Sequence, residues 1–138
     1  MRLARLVPTL VVSALVFAAP SLRAQTLSDS ADAALRAQIK SDLRNLVTAQ
    51  EAYYAGHSAY APAMDGLSFR ASNGDQVSLT VTQNNSWAAV ATHPSRPGKS
   101  CVVYVNVAAK YQPKTMQSKL TGGDGQPVCD GDPPPSSF

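Results

Sequence analysis

Residues 27–55 contain neither glycine nor proline, and that unbroken stretch limits the fold more than any other feature of the chain. Within it Leu35, Ile39, Leu43, Leu46, Val47, Gln50, Tyr53 and Tyr54 recur at spacings of three and four. This is the stripe of an amphipathic helix. Alanines fill much of the remaining surface and favour the helix further. The spacing predicts a helix over residues 28–55, with Ser28 as N-cap and Asp29 and Asp32 in the first turn. Gly56 is its expected left-handed stop.

The pattern then changes period. Residues 57–66 read as a connecting loop. Leu67-Ser68-Phe69 alternates, and Ser72-Asn73-Gly74-Asp75 is a turn signal. Val77, Leu79 and Val81 alternate with Ser78, Thr80 and Thr82, as in a half-buried strand. Residues 83–86 form another turn. Residues 87–92 are a third strand, with Trp87 expected in or near the core. A loop with Pro94, Pro97 and Gly98 leads to a fourth strand over residues 101–108, rich in β-branched residues. Short connections make the sheet an antiparallel meander. Residues 110–121 give no clear pattern, and residues 122–125 are a glycine-rich turn leading to Cys129. The expected fold class is therefore α+β: one long amphipathic helix packed on a roughly four-stranded antiparallel sheet, closed by a C-terminal loop.

The N-terminus has the three zones of a secretory signal: basic Arg2 and Arg5, the uncharged residues 6–19, and a segment ending in Ala24. The apolar run is shorter than the roughly 20 residues of a membrane-spanning helix. Cleavage is expected between Ala24 and Gln25, with Ala18 or Ala19 as the alternative. The organisation is then a signal peptide over 1–24, one domain over 25–129, and a disordered proline-rich tail over 130–138. Removing residues 1–24 takes away Arg2, Arg5 and Arg23, leaving nine basic against nine acidic residues. The pI near 9.0 therefore belongs to the signal and argues against a nucleic-acid partner. A membrane contact is expected only if the N-terminal segment is retained. Cys101 and Cys129 are the only cysteines. In an exported chain such a pair closes a disulfide, the alternative being two free thiols. The expected location is periplasmic or secreted.

Residues 43–101 resemble the globular head of a type IV pilin or type II secretion pseudopilin. The resemblance rests on LRNLVTAQEAYYAGHSAYAP at the helix end, then LSF, the turn SNGD, VSLTVT, SWAAVATHPS and CVVYV, in that order. It implies a helix, a connecting loop and an antiparallel sheet, with Cys101 and Cys129 placed where such heads close a C-terminal loop. It also implies protein partners that are pilin-like subunits or parts of a secretion apparatus. The N-terminus departs from the family: no glycine precedes the apolar run and no glutamate lies within it. The simpler reading is a pilin-like head behind an ordinary signal peptide. A filament subunit that keeps its apolar N-terminus is the alternative.

Chemistry-bearing residues are few. His57 and His93 both fall in expected loops, and no Cys-x-x-Cys or His-x-x-x-His spacing occurs, so no metal centre is expected. His93 and Asp75 with a serine could be written as a triad, but no Gly-x-Ser-x-Gly supports one. Glu51 is the lone glutamate. Asp130 and Asp132, with Asp124 in the glycine-rich turn, could hold calcium loosely, though EF-hand spacing is absent. Tyr53, Tyr54 and Tyr60 around the helix exit are candidates for a contact surface, or else seal helix against sheet. No catalytic residue, metal or cofactor is expected, and the chain reads as a non-enzymatic interaction module. A soluble ligand-binding module and a small hydrolase assembled only in three dimensions are the other classes.

Overall fold

A computed structural model describes residues 21–134, apart from the side chains of residues 21–24, 81 and 82. Most of the expected signal segment and the last four residues of the expected tail lie outside the described residues. Helix α1 spans Ser21–His57, and four strands follow: β1 (Gln76–Gln83), β2 (Ser86–Thr92), β3 (Cys101–Val105) and β4 (Val128–Cys129). They form one antiparallel sheet in the order β1-β2-β3-β4. The α+β class is as the sequence predicts.

Two rows of paired residues define the inner sheet face. Leu79 faces Ala89, which faces Val103; Val77 faces Ala91, then Cys101, then Cys129. Ile39, Leu43 and Leu46 of α1 pack on this face together with Trp87 and Tyr60, and all are buried. The three- and four-residue spacing of the helix stripe places these side chains on the side that meets the sheet.

The outer face is also covered. Strand β3 is buried at every position, because residues 107–127 cross over its outer side. The Tyr104 hydroxyl donates to the Gly122 carbonyl at 2.9 Å, and the Gly125 amide donates to the Tyr104 carbonyl at 2.7 Å. A strand covered on both faces reads as a continuous apolar run, which is what CVVYV is. Gly122 is required here, since a Cβ would collide with the Gln126 carbonyl.

Several sequence expectations need correction. The helix does not begin at Ser28: it already runs through Ala24–Gln25, and the Ser28 hydroxyl donates back to the Gln25 carbonyl at 2.8 Å. Asp29 and Asp32 are therefore interior helix residues. Gly56 is helical, and the left-handed residue after the helix is Ser58, with φ of 55°. Residues 67–69 are not a strand. Their alternation reflects a loop whose Leu67 and Phe69 pack partly against the core, after the Leu67 amide closes the 3-10 turn Met64–Gly66. The fourth strand is instead Val128–Cys129, too short to show a period. The expected strand at residues 101–108 ends at Val105, where Asn106 turns left-handed at φ 55°. Asp130 is not part of a disordered tail; it is fully buried.

Cys101 and Cys129 are direct partners across β3 and β4 and form a disulfide. With a sequence separation of 28, the bridge removes denatured-state entropy worth about 3 kcal/mol. Cys101→Ala is expected to lower the unfolding free energy by about that amount in non-reducing denaturation, with helical circular dichroism unchanged. Equal stability of variant and wild type would refute this.

Candidate functional site

The helix exit carries the aromatic residues singled out in the sequence, and the structure divides them. Tyr60 is 7% exposed. Its hydroxyl donates to Glu51 Oε1 at 2.8 Å, and its ring meets Trp87 edge-on at 6.2 Å. Burial, then the Glu51 carboxylate, raise its pKa well above the usual phenol range. Tyr60 is a core seal and not a contact residue, which corrects its place in the expected surface. Tyr54 packs on it at 4.8 Å and stays 36% exposed. Tyr53 stacks on His57 at 3.9 Å and lines a cleft of about 210 Å³ with Ala49, Ala52, Gly66, Leu67 and Ser68. His57 is exposed, with Nδ1 2.9 Å from the Tyr53 carbonyl oxygen. The outward aromatic surface is thus Tyr53, Tyr54 and His57.

A second group forms where α1 meets the turn before β1. Asp42 is buried and accepts from the Ser72 amide at 2.6 Å and the Ser72 hydroxyl at 2.8 Å. Asp75 lies beside it, both of its carboxylate oxygens shielded from solvent. Burial raises the Asp75 pKa and the neighbouring Asp42 raises it further, while Gln38 and His93 act in the opposite direction. The His93 ring fills the space that a Cβ on Gly74 would need, and Gly74 has φ of +90°. His93 Nδ1 accepts from the Ser95 amide at 3.0 Å, so this ring nitrogen is occupied. His93 and Asp75 are near enough to interact, but His93 Nδ1 is taken by the Ser95 amide and not by the Asp75 carboxylate. Neither histidine lines the clefts described here.

The third group was not legible in the sequence. Asp130 Oδ2 accepts from the Ser100 amide at 2.8 Å and the Gln117 amide at 3.2 Å, and Oδ1 from the Ser118 amide at 2.6 Å. Burial alone would raise its pKa, but these amides outweigh it and hold the carboxyl at about 2. Asp132 pairs with Lys40 at 2.6 Å and Arg36 at 3.1 Å. Asp32 gathers Arg96 at 2.9 Å, Lys99 at 3.2 Å and Arg36 at 3.3 Å, and the Arg96 hydrogen bond is the main cause that lowers its pKa. Arg96 itself is buried; it also donates to the Asp130 carbonyl at 2.7 Å. These charges flank an open cleft of about 600 Å³ with Ser28, Asp29, Leu35, Ser95 and Gly131 on its walls.

Asp130 and Asp132 are thus committed to amides and cations, and Asp124 accepts from the Asn106 amide at 3.0 Å. Among the described residues no group of three or more His, Cys, Asp or Glu side chains is arranged to hold a metal. No helix among the described residues is long and apolar enough to cross a membrane. No protein-family model, curated protein or solved structure matches this chain.

Two outcomes follow. Asp130→Asn is expected to cost about 2 kcal/mol at neutral pH, since the amide nitrogen would face backbone donors. Asp130 has a folded-state pKa below its ordinary value of 3.8. Its contribution is therefore complete above that value and is lost as pH falls toward about 2. Urea titrations at descending pH should show the cost of the substitution shrinking over that window. Tyr60→Ala is expected to cost about 3–5 kcal/mol through the cavity it leaves. Tyr54→Ala should cost about 1 kcal/mol or less, which thermal melts of the two variants will separate.

Proposed function

We propose that this chain is an exported, non-enzymatic, pilin-like protein that serves as an assembly or interaction module of the cell envelope or surface. The observation that carries this reading is the disproportion between helix and head. Helix α1 has 37 residues, about 55 Å at 1.5 Å per residue. The longest strand has 8 residues, about 27 Å. Residues 25–31 are exposed, and among the described side chains the first buried one of the helix is Ile39. A helix that projects from a compact head is suited to joining that head to something else. The disulfide supports an oxidising compartment, where such bridges persist. The serial order of elements supports the pilin-like resemblance, and the outward Tyr53, Tyr54 and His57 offer an aromatic contact surface for a protein partner.

A second reading is favoured by one observation: α1 runs without a break through Ala24–Gln25, the expected cleavage point. In that reading the apolar residues 6–19 stay attached, and the chain is a filament subunit of the pilin type.

Intact mass of the native protein, from fractionated cells without reductant, together with crosslinking in the intact envelope, tests both. A chain starting at Gln25, two hydrogens lighter than the reduced form and crosslinked to envelope proteins, supports the free module. A full-length chain in the membrane or sheared-filament fraction supports the subunit. A soluble monomer that crosslinks to nothing would overturn the proposal.

A further inference from the structure

Strand β1 is an outer edge of the sheet, paired with β2 on one side. Among the described residues no loop backbone hydrogen-bonds to its other side. Edge strands are ordinarily blunted by lysine, proline, shortness, a bulge or a covering segment, and of these β1 has a register shift at its far end, between Val81 and Gln83. Strand β1 has 8 residues without proline or charge, and the whole hairpin over residues 76–92 carries no charge. The inner-face rows are also incomplete at this edge. Ala89 and Val103 are fully buried, as are Ala91 and Cys101, yet their row partners Leu79 and Val77 are only half-buried.

The sequence of the edge is self-complementary. An antiparallel copy centred on Leu79 sets Leu79 opposite Leu79, Val77 opposite Val81, Ser78 opposite Thr80, and Gln76 opposite Thr82. Leu79 meets its own copy on the core side, and the hydroxyl-bearing Ser78 and Thr80 meet on the solvent side. Opposed residues on antiparallel strands share a sheet face, so over residues 77–81, the stretch before the register shift between Val81 and Gln83, this pairing extends both faces without a slip. With no charge on either strand, two copies meet without like-charge repulsion. We propose that β1 is a homodimerisation edge, at which two copies of this chain join their sheets antiparallel about Leu79. The junction would add about six to eight backbone hydrogen bonds by the alternating antiparallel pattern. It would also cover Val77 and Leu79 and leave only the two-residue β4 as an open edge. This inference does not depend on the pilin-like reading, because it uses the strand alone.

The test is sedimentation of the full-length oxidised chain, purified from whichever fraction holds it, over a range of concentrations. Ser78 and Thr80 are exposed, so lysine or glutamate there leaves the core untouched. The wild type should sediment as a dimer at high concentration. Ser78→Lys with Thr80→Lys sets lysine opposite lysine and should give a monomer. Ser78→Lys with Thr80→Glu sets lysine opposite glutamate and should restore the dimer. As a measurement free of substitutions, amide exchange over residues 77–82 of the wild type should slow as concentration rises. A wild type monomeric throughout, a dimer that survives the double lysine variant, failure of both variants to dimerise, or exchange independent of concentration would each overturn the proposal.

Discussion

The carboxylate of Asp130 is the contact on which the C-terminal half of the head depends. A buried charge is tolerable only when its lone pairs are filled, and here amides of Ser100, Gln117 and Ser118 fill them. Those amides come from the residue just before β3 and from the loop that crosses the outer sheet face. One side chain therefore fixes the cover of the sheet to the sheet itself. The disulfide at Cys129 holds Asp130 in position one residue away, and the Asp130 amide donates back to the Ser100 carbonyl at 2.9 Å. Covalent closure and charge satisfaction act on the same short segment.

A second tie brings the helix into the same segment. Arg96 sits on the β2–β3 loop, yet it bonds Asp32 on the helix and the Asp130 carbonyl after β4. Arg96 is buried while Asp32 is partly exposed, so removing Asp32 would leave the buried guanidinium without its carboxylate. The projecting helix is thus anchored by two mechanisms. Apolar burial acts from Ile39 onward, with the Lys40 ion pair beside it, and ion pairs at Asp32 and Arg36 act closer to the exposed N-terminal turns.

What the sequence made legible follows from period and composition. The helix stripe, the β1–β2 hairpin and β3 each carry a regular pattern longer than four residues, and each is where the pattern places it. The disulfide followed from the cysteine count. The helix start was misplaced because Ser28 looks like a cap, whereas inside a helix its hydroxyl simply bonds back to a preceding carbonyl. Residues 67–69 imitated a strand because half-buried loops also alternate. Strand β4 is two residues long, below the length at which any period exists. Asp130 was lost among the prolines and glycines around it, since its partners lie 12 to 30 residues away along the chain. Tyr60 was grouped with its aromatic neighbours because spacing does not reveal which ring turns inward after a loop.

The anchoring of α1 also bears on how the head would respond to tension. A pull along the helix axis, applied from its exposed N-terminal turns, would arrive first at Asp32 and Arg36. Their bonds to Arg96, Lys99, Gly131 and Asp132 tie the helix to two separate segments of the head, so both segments would bear the load. The force would then divide between the β2–β3 loop and the segment following Cys129, two places already stapled to each other by the disulfide. Mechanical strength would thus be concentrated where stalk and head meet, leaving the apolar core behind Ile39 shielded until that junction fails.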